Sequence, residues 1–277
     1  MSNIAAFVIA RNEERSIEDT LTSLQKQTHE ISYLVVVNDG STDKTQDIID
    51  SYNCDHVNLP PHDESYVGRP ELAQVCNFGL KEIMQNVYPD YVLQMGGDHI
   101  LPSHYVETLL NRMGEKVKIA SGTCEGFKLQ PDVPLGTGRL IDAKLWKKIN
   151  GMVYPLKYGY ESWLVYKIRK LGYEVKRYDD LLSVTRDIRM NPSKAFEWGR
   201  CTYALGGATL FANVKALGMG LNGYHFLRGY YSRKGVEKHM DIAEYVKKQQ
   251  YSRLSAKLKL RRSIPTPQFC EDTDKEE

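Results

Sequence analysis

Short runs of consecutive apolar residues alternate, through the first half of the chain, with segments whose apolar positions recur every three or four residues. Continuous runs mark strands buried on both faces, and the 3.6-residue spacing marks helices with one packed side. The runs predict strands at 4–10, 33–37, 56–59, 91–95 and 118–121. Between them, 16–27 places Ile17, Leu21 and Leu24 on one helical face, and 45–52 does the same with Ile48, Ile49 and Tyr52. Asp43 is a candidate N-cap for the second helix. Residues 71–87 carry Leu72, Val75, Cys76, Leu80 and Ile83 as a stripe, and Pro102 with Ser103 opens a helix running to Arg112. Strand and helix in strict alternation predict an α/β fold: a Rossmann-like, mostly parallel central sheet with helices on both faces.

The pattern changes after residue 121. Residues 122–138 are rich in Gly and Pro without periodicity, which suggests a loop-rich crossing. Helical spacing returns at 143–149 and 161–171, and 173–177 resembles a short strand. The stretch 193–260 is helical in pattern but interrupted by Gly199, Gly206, Gly207, Gly218, Gly220, Gly223, Gly229 and Gly235. These shifts divide the chain into an α/β unit at 1–190, a helical, basic extension at 191–262, and an acidic tail at 263–277 expected to be solvated and disordered.

Composition narrows the function classes. With 37 Lys+Arg against 35 Asp+Glu in 277 residues, the chain lacks the charge excess on which general nucleic-acid binding rests. The five cysteines are scattered and include no CxxC pair, so neither a zinc site nor a disulfide framework is indicated, and a reduced, cytoplasmic setting fits. No apolar run reaches spanning length. Between 228 and 262, however, basic residues from Arg228 to Arg262 face only Glu237, Asp241 and Glu244. With Tyr251, Leu254 and Leu258 at helical spacing, that segment could lie peripherally on an anionic inner membrane face. A solvated helix packed by one stripe, or a homo-oligomer contact, is the competing use of the same residues.

The candidate chemistry sits at strand ends. The first strand ends in ARNEE, the second in NDGS and the fourth in GGDH, so a parallel sheet brings Glu13, Asp39 and Asp98 to one edge. Gathered carboxylates repel unless a divalent metal, a base N–H or ribose hydroxyls lie between them. For Asp39 alone, a turn role remains open.

At this point the chain resembles a known family. FVIARNEE (7–14), SIEDTLTSLQKQT (16–28), VVVNDGSTDKT (35–45) and GRPELAQVCNFGL (68–80) look like the opening of the family 2 glycosyltransferases, which have the GT-A fold. The motifs follow family order over roughly the first 180 residues, and an ordered series is more specific than any single motif. The resemblance places Ala10, Arg11, Glu13, Asp39, Ser41, Arg69, Asn77, Gly96, Gly97 and Asp98 around a nucleotide sugar of UDP or GDP type. Glu13 and Asp39 would hold base and ribose, and Arg69 could reach a phosphate. Gly96-Gly97-Asp98 falls on the DxD motif, with Gly96 in place of its first Asp; Asp98, with His99 as an added nitrogen ligand, would bind Mn2+ or Mg2+. A further metal-binding His of the family is replaced near Arg186.

Residues 159–173 resemble the stretch that carries the family's catalytic base. Counting back from Gly172-Tyr173 puts Glu161 on that acid, while Tyr160 and Trp163 replace neighbouring acids and, with Trp198 and Arg200, are candidates for the acceptor site. At a helix start the macrodipole would also hold Glu161 ionised. The resemblance implies an inverting transfer, of a hexose for preference, from a nucleoside diphosphate sugar to a hydroxyl of a glycan, a lipid-linked or a protein-linked acceptor. Two alternatives stand beside it. A non-catalytic sugar-nucleotide or carbohydrate binder of the same fold would explain Gly96, Tyr160 and Arg186, whereas a sugar nucleotidyltransferase would need a basic glycine-rich loop near the N-terminus that ARNEE does not supply.

Overall fold

A computed structural model describes residues 2–124, 133–185 and 190–262, with side chains only as far as residue 256. Arg186 and the tail 263–277 therefore lie outside the described residues. The order is β1 (Ile4–Ala10), α1 (Ile17–Gln25), β2 (Tyr33–Asn38), α2 (Thr45–Asp50), β3 (Asp55–Asn58), α3 (Pro70–Asn86), β4 (Tyr91–Gly96), β5 (His99–Ile100), α4 (Tyr105–Arg112) and β6 (Val117–Cys124). It continues with β7 (Arg139–Asp142), α5 (Ala143–Asn150), α6 (Tyr160–Lys170), β8 (Glu174–Thr185), α7 (Pro192–Ala204), α8 (Thr209–Leu217), α9 (Leu221–Tyr231) and α10 (Ala243–Arg262).

The strands form one sheet in the order β3-β2-β1-β4-β7-β6-β8-β5. β1 runs parallel to β2 and β4, and β2 to β3; β7 is antiparallel to both β4 and β6. In β1 the side chains alternate between two cores. Ala5 and Phe7 pack with α3, α5 and α6 residues such as Leu80, Trp146 and Leu164. Ile4, Ala6 and Val8 pack on the other face with Leu21, Ile49 and Leu109. Both faces are thus covered, which is why the strand reads as an uninterrupted apolar run.

Two strands differ from the sequence reading. β7 falls between the loop-rich 122–138 and the helix expected from 143, where no strand is predicted: its four residues include the buried Arg139, and pairing to β4 and β6 makes it a strand. β8 (twelve residues) runs eight residues beyond the short strand expected at 173–177, because it follows β6 across two register shifts. Asp43 lies just before α2 and still satisfies its first turn, accepting from the Thr45 amide at 3.0 Å, with Lys44 as the N-cap residue.

The C-terminal helices are not an isolated appendage. Leu205, Ile242 and Val246 complete the core built on α6, while Ala195, Ala212, Ala216, Phe226 and Tyr230 form a cluster of their own between α7, α8 and α9.

Candidate active site

The parallel register fixes the first half of the site. Ala10 pairs with Asn38 and Ile9 with Gly96, so the turns after β1, β2 and β4 leave the sheet side by side. Backbone bonds knit them: Asp39 N–H donates to Ala10 C=O and Gly97 N–H to Ile9 C=O, both at 2.8 Å. Gly97 C=O accepts from the Ser16 and Thr20 hydroxyls, and a Cβ on Gly97 would lie 2.9 Å from that of Ala10. Ser41 Oγ accepts from Asn12 N–H at 3.0 Å, and Glu13 Oε2 from the Ser16 hydroxyl at 2.8 Å. Gly40, with φ +66°, turns so close to Pro60 that any Cβ would sit 2.5 Å from its carbonyl oxygen.

These turns open on a cavity of about 760 Å³ whose walls include Arg11, Glu13 and Asp39, then Gln94, Gly96 and Glu161, and on α7 Lys194, Glu197 and Trp198. That volume is in the range of small-molecule sites. Asp39 is only 3% exposed, yet its Oδ1 has no hydrogen-bond partner among the described residues. His62 Nε2 lies 3.3 Å away without hydrogen-bond alignment, and is itself unpartnered. A buried carboxylate oxygen left without a donor costs about 1–3 kcal/mol or more, which a ligand hydroxyl or N–H at this wall would recover. The His62 ring stacks on Tyr66 with centroids 4.0 Å apart. The Arg11 guanidinium holds this loop by donating to the carbonyls of His62 and Glu64. His62 and Tyr66 escape sequence reasoning because HDESY has no periodicity or motif.

Glu161 enters the cavity from the first turn of α6, behind Gly159, whose φ of +75° turns the chain into the helix. Its Oε1 accepts from Gln94 Nε2 at 2.6 Å, and Gln94 Oε1 accepts from the buried Tyr154 hydroxyl at 2.6 Å. This chain fixes the amide orientation of Gln94 and leaves Glu161 Oε2 beside Gly136, where a Cβ would approach to 2.9 Å. Burial pushes the Glu161 carboxyl above its ordinary pKa, opposed by the Arg139 charge and the Gln94 bond. Desolvation thus outweighs the ionising effect expected from the helix start, and a raised pKa makes the ionised group a stronger base. Arg139 is anchored by the carbonyls of Leu135 and Pro134. Sequence reasoning missed Gln94, Tyr154 and Arg139; the one available signal was a glutamine inside the apolar β4 run.

Several expected site residues lie elsewhere. His99 is not a metal ligand: its two ring nitrogens pair with the Thr137 and Ser183 hydroxyls, each at 2.7 Å, and burial pushes its pKa down to about 4. Asn77 spends both ends of its amide on the Tyr154 backbone, clamping α3 to the chain before α6. Trp163 is buried and donates its indole N–H to Asp241, so it is core and no acceptor wall. Arg200 stacks over Tyr158 at 4.2 Å and donates to Lys234 C=O, away from the cavity lining. Arg69 is held between Glu64 at 2.5 Å and Glu71 at 3.0 Å. Ala10, Ser41 and Gly97 shape the turns without lining the cavity, whereas Tyr160 and Trp198 do line it.

The metal donor set is small. Asp98 Oδ2 accepts from the Thr185 hydroxyl at 3.2 Å, and among the described residues no group of three His, Cys, Asp or Glu side chains gathers. One carboxylate fits a Mg2+ or Mn2+ ion that takes its remaining ligands from substrate phosphates and water.

The buried His99 makes a stability prediction. Its folded pKa is depressed, so the unfolded chain binds the extra proton, and stability is expected to fall as pH drops from about 6.5 towards 4, by roughly 3 kcal/mol at most. Glu161, raised in the fold, works in the opposite direction over acidic pH. The measurement is therefore the difference in denaturant midpoint between wild type and His99→Asn across this window; equal pH slopes would contradict the assignment.

Residues 5–134 match the model of glycosyl transferase family 2. No curated protein sequence matches the chain. Among solved structures, S. aureus TarS is 19% identical with a TM-score of 0.52, the match covering 83% of this chain and 44% of TarS. A mannosyltransferase, PcManGT from Pyrobaculum calidifontis in complex with GDP-Man and Mn2+, is 14% identical with a TM-score of 0.55, over 95% of this chain and 81% of the other. Glucosyl-3-phosphoglycerate synthase from Mycobacterium tuberculosis, in complex with Mn2+, UDP and phosphoglyceric acid, is 17% identical with a TM-score of 0.52, over 86% and 80%. At such identities the likeness is one of fold, and the fold is GT-A.

Proposed function

We propose that the chain, whose residues 5–134 match the model of glycosyl transferase family 2, is a member of that family and moves a hexose from a UDP or GDP sugar to an acceptor hydroxyl with inversion, Glu161 acting as general base. One observation carries this reading: a single cavity is faced by both the donor-less Asp39 carboxylate and the Gln94-bound Glu161. Asp39 accepts hydrogen bonds from the nucleoside, the donor's anomeric carbon is presented towards Glu161, and Glu161 Oε2 takes the acceptor proton as the acceptor oxygen bonds to that carbon. The glycosidic bond to the diphosphate breaks on the opposite face, its electron pair leaving with the diphosphate. Asp98 is the residue that would hold Mn2+ or Mg2+, and such an ion, when bound, neutralises charge on the departing diphosphate. The solved relatives bound to UDP, UDP-GlcNAc and GDP-Man support nucleotide sugars as donors. Trp198, partly exposed at the cavity, offers a ring face to a glycan, lipid-linked or protein-linked acceptor.

The test is a thermal-shift and donor-hydrolysis panel of UDP, GDP, CMP and dTDP sugars with and without Mn2+. Stabilisation and turnover by a UDP or GDP sugar support the proposal. Stabilisation with no turnover, to water or any acceptor, would instead make the chain a non-catalytic nucleotide-sugar binder.

Tyr154 is a positioning residue for this base. Tyr154→Phe is expected to lower kcat about tenfold, the worth of its one hydrogen bond to the Gln94 amide. Donor KM should change little, and the acidic limb of the pH–rate profile should move to higher pH, because an unanchored Gln94 no longer favours ionised Glu161. Equal loss in KM and kcat with an unmoved limb would reduce Tyr154 to a packing role.

A further inference from the structure

We propose that the hairpin formed by α8 and α9 docks onto an anionic lipid bilayer. The polarity of α8 is inverted. Its lysine, Lys215, is turned inwards over the Trp198 ring at 4.3 Å and the Phe226 ring at 5.0 Å, while Leu210, Val214 and Leu217 face solvent at i, i+4 and i+7. On α9, Leu221, Tyr224, Arg228 and Tyr231 repeat this at i, i+3, i+7 and i+10. At the apex Leu217 is 86% and Leu221 93% exposed, and Tyr224 follows at 67%. Contiguous apolar exposure on this scale marks an interaction surface.

Charge selects the occupant. Between Glu197 and Glu237 the chain has no acidic residue, while Arg228, Arg233 and Lys234 stand exposed within it. In a two-fold contact with a second copy, this face would set cations against cations with no carboxylate of its own to pair them. An anionic membrane supplies both needs, hydrocarbon for the apical leucines and headgroup charge for the cations. Tyr224 and Tyr231, with Arg228 5.9 Å from the Tyr224 ring, lie along the flank where aromatic and cationic side chains meet headgroups. The hairpin is also stiff, since Gly223 packs against Ala216 so closely that a Cβ would lie 2.2 Å from its carbonyl oxygen.

This moves the membrane contact away from the basic α10 suggested by the sequence, where Ile242 just before the helix, and Val246 and Gln250 within it, are buried against the fold. No helix among the described residues is long and apolar enough to span a bilayer, so the contact is peripheral. Trp198 lies under Lys215 and also lines the cavity, so docking brings the cavity beside the lipid surface; an acceptor delivered from that surface rests on the function proposed above.

The experiment is co-sedimentation of the full chain with phosphatidylcholine vesicles, with and without phosphatidylglycerol. Wild type is expected to sediment with the anionic vesicles and less so at high salt, and the double variant Leu217→Glu/Leu221→Glu to bind at least about tenfold more weakly. The variant should keep the wild-type melting temperature and the same stabilisation by nucleotide sugar, which separates a docking failure from failure of the donor site. Absence of vesicle binding by wild type, or undiminished binding by the double variant, overturns the proposal. So does a wild-type dimer, without vesicle binding, that these substitutions dissolve.

Discussion

Glu161→Gln is expected to lower kcat by roughly 10²–10⁴-fold, the range for removing a general base, with donor affinity close to wild type. The substitution keeps the shape of the side chain and an oxygen for the Gln94 amide to donate to, at the position now 2.6 Å away. It removes only the capacity to take a proton. Asp39 and Glu13 lie on the turns after β2 and β1 and are untouched, so nucleotide-sugar stabilisation of the fold should persist. Stability should hold as well, because the native carboxylate is already penalised by burial. Wild-type kcat should rise with pH along a limb set above the ordinary carboxylate range, since only the ionised form accepts the proton. Arg139 favours that ionised form, so Arg139→Met should push the limb higher still. Unchanged turnover in Glu161→Gln would remove Glu161 from the mechanism, whatever the donor proves to be.

The half of the site proposed to hold the donor is marked in the sequence by local signals. A buried parallel strand must end in a polar turn, and Asp39, Glu13 and Asp98 each follow such a run, so sheet register sets their three turns side by side, with Glu13 and Asp39 in the cavity wall and Asp98 outside its lining. Glu161 was locatable only through resemblance, since a lone acid at a helix start has many uses. The partners that define it come from places where long-range pairing overrides local pattern. Arg139 sits in a four-residue strand too short to show a pattern of its own, and Gln94 sits in a strand that reads as core. The same limit explains the residues that moved out of the site. Asn77, Trp163 and Arg200 are chemically suited to ligands, but each is already committed, to Tyr154, Asp241 and Lys234 respectively. His99 is committed on both nitrogens.

Gly229→Ala is expected to destabilise the protein by about 3 kcal/mol, the upper part of the usual range for overpacking. The glycines after residue 193 read in sequence as interruptions of helical pattern, yet Gly199 and Gly229 lie inside unbroken helices. They are where α7 and α9 touch backbone to backbone. A Cβ on Gly229 would lie 1.8 Å from the Phe196 carbonyl oxygen, and one on Gly199 would lie 2.0 Å from that of Phe226. No rotamer relieves a clash made by Cβ against main chain, so the helices must separate, and the cluster of Ala195, Phe226 and Tyr230 loosens with them. Since α7 carries Lys194, Glu197 and Trp198 into the cavity wall, activity should fall alongside stability even though no residue that touches substrate has changed. Gly114→Ala is the control, because nothing lies within 4 Å of a Cβ there and its φ is ordinary. A denaturant midpoint for Gly229→Ala equal to that of Gly114→Ala would mean that α7 and α9 do not cross at this contact.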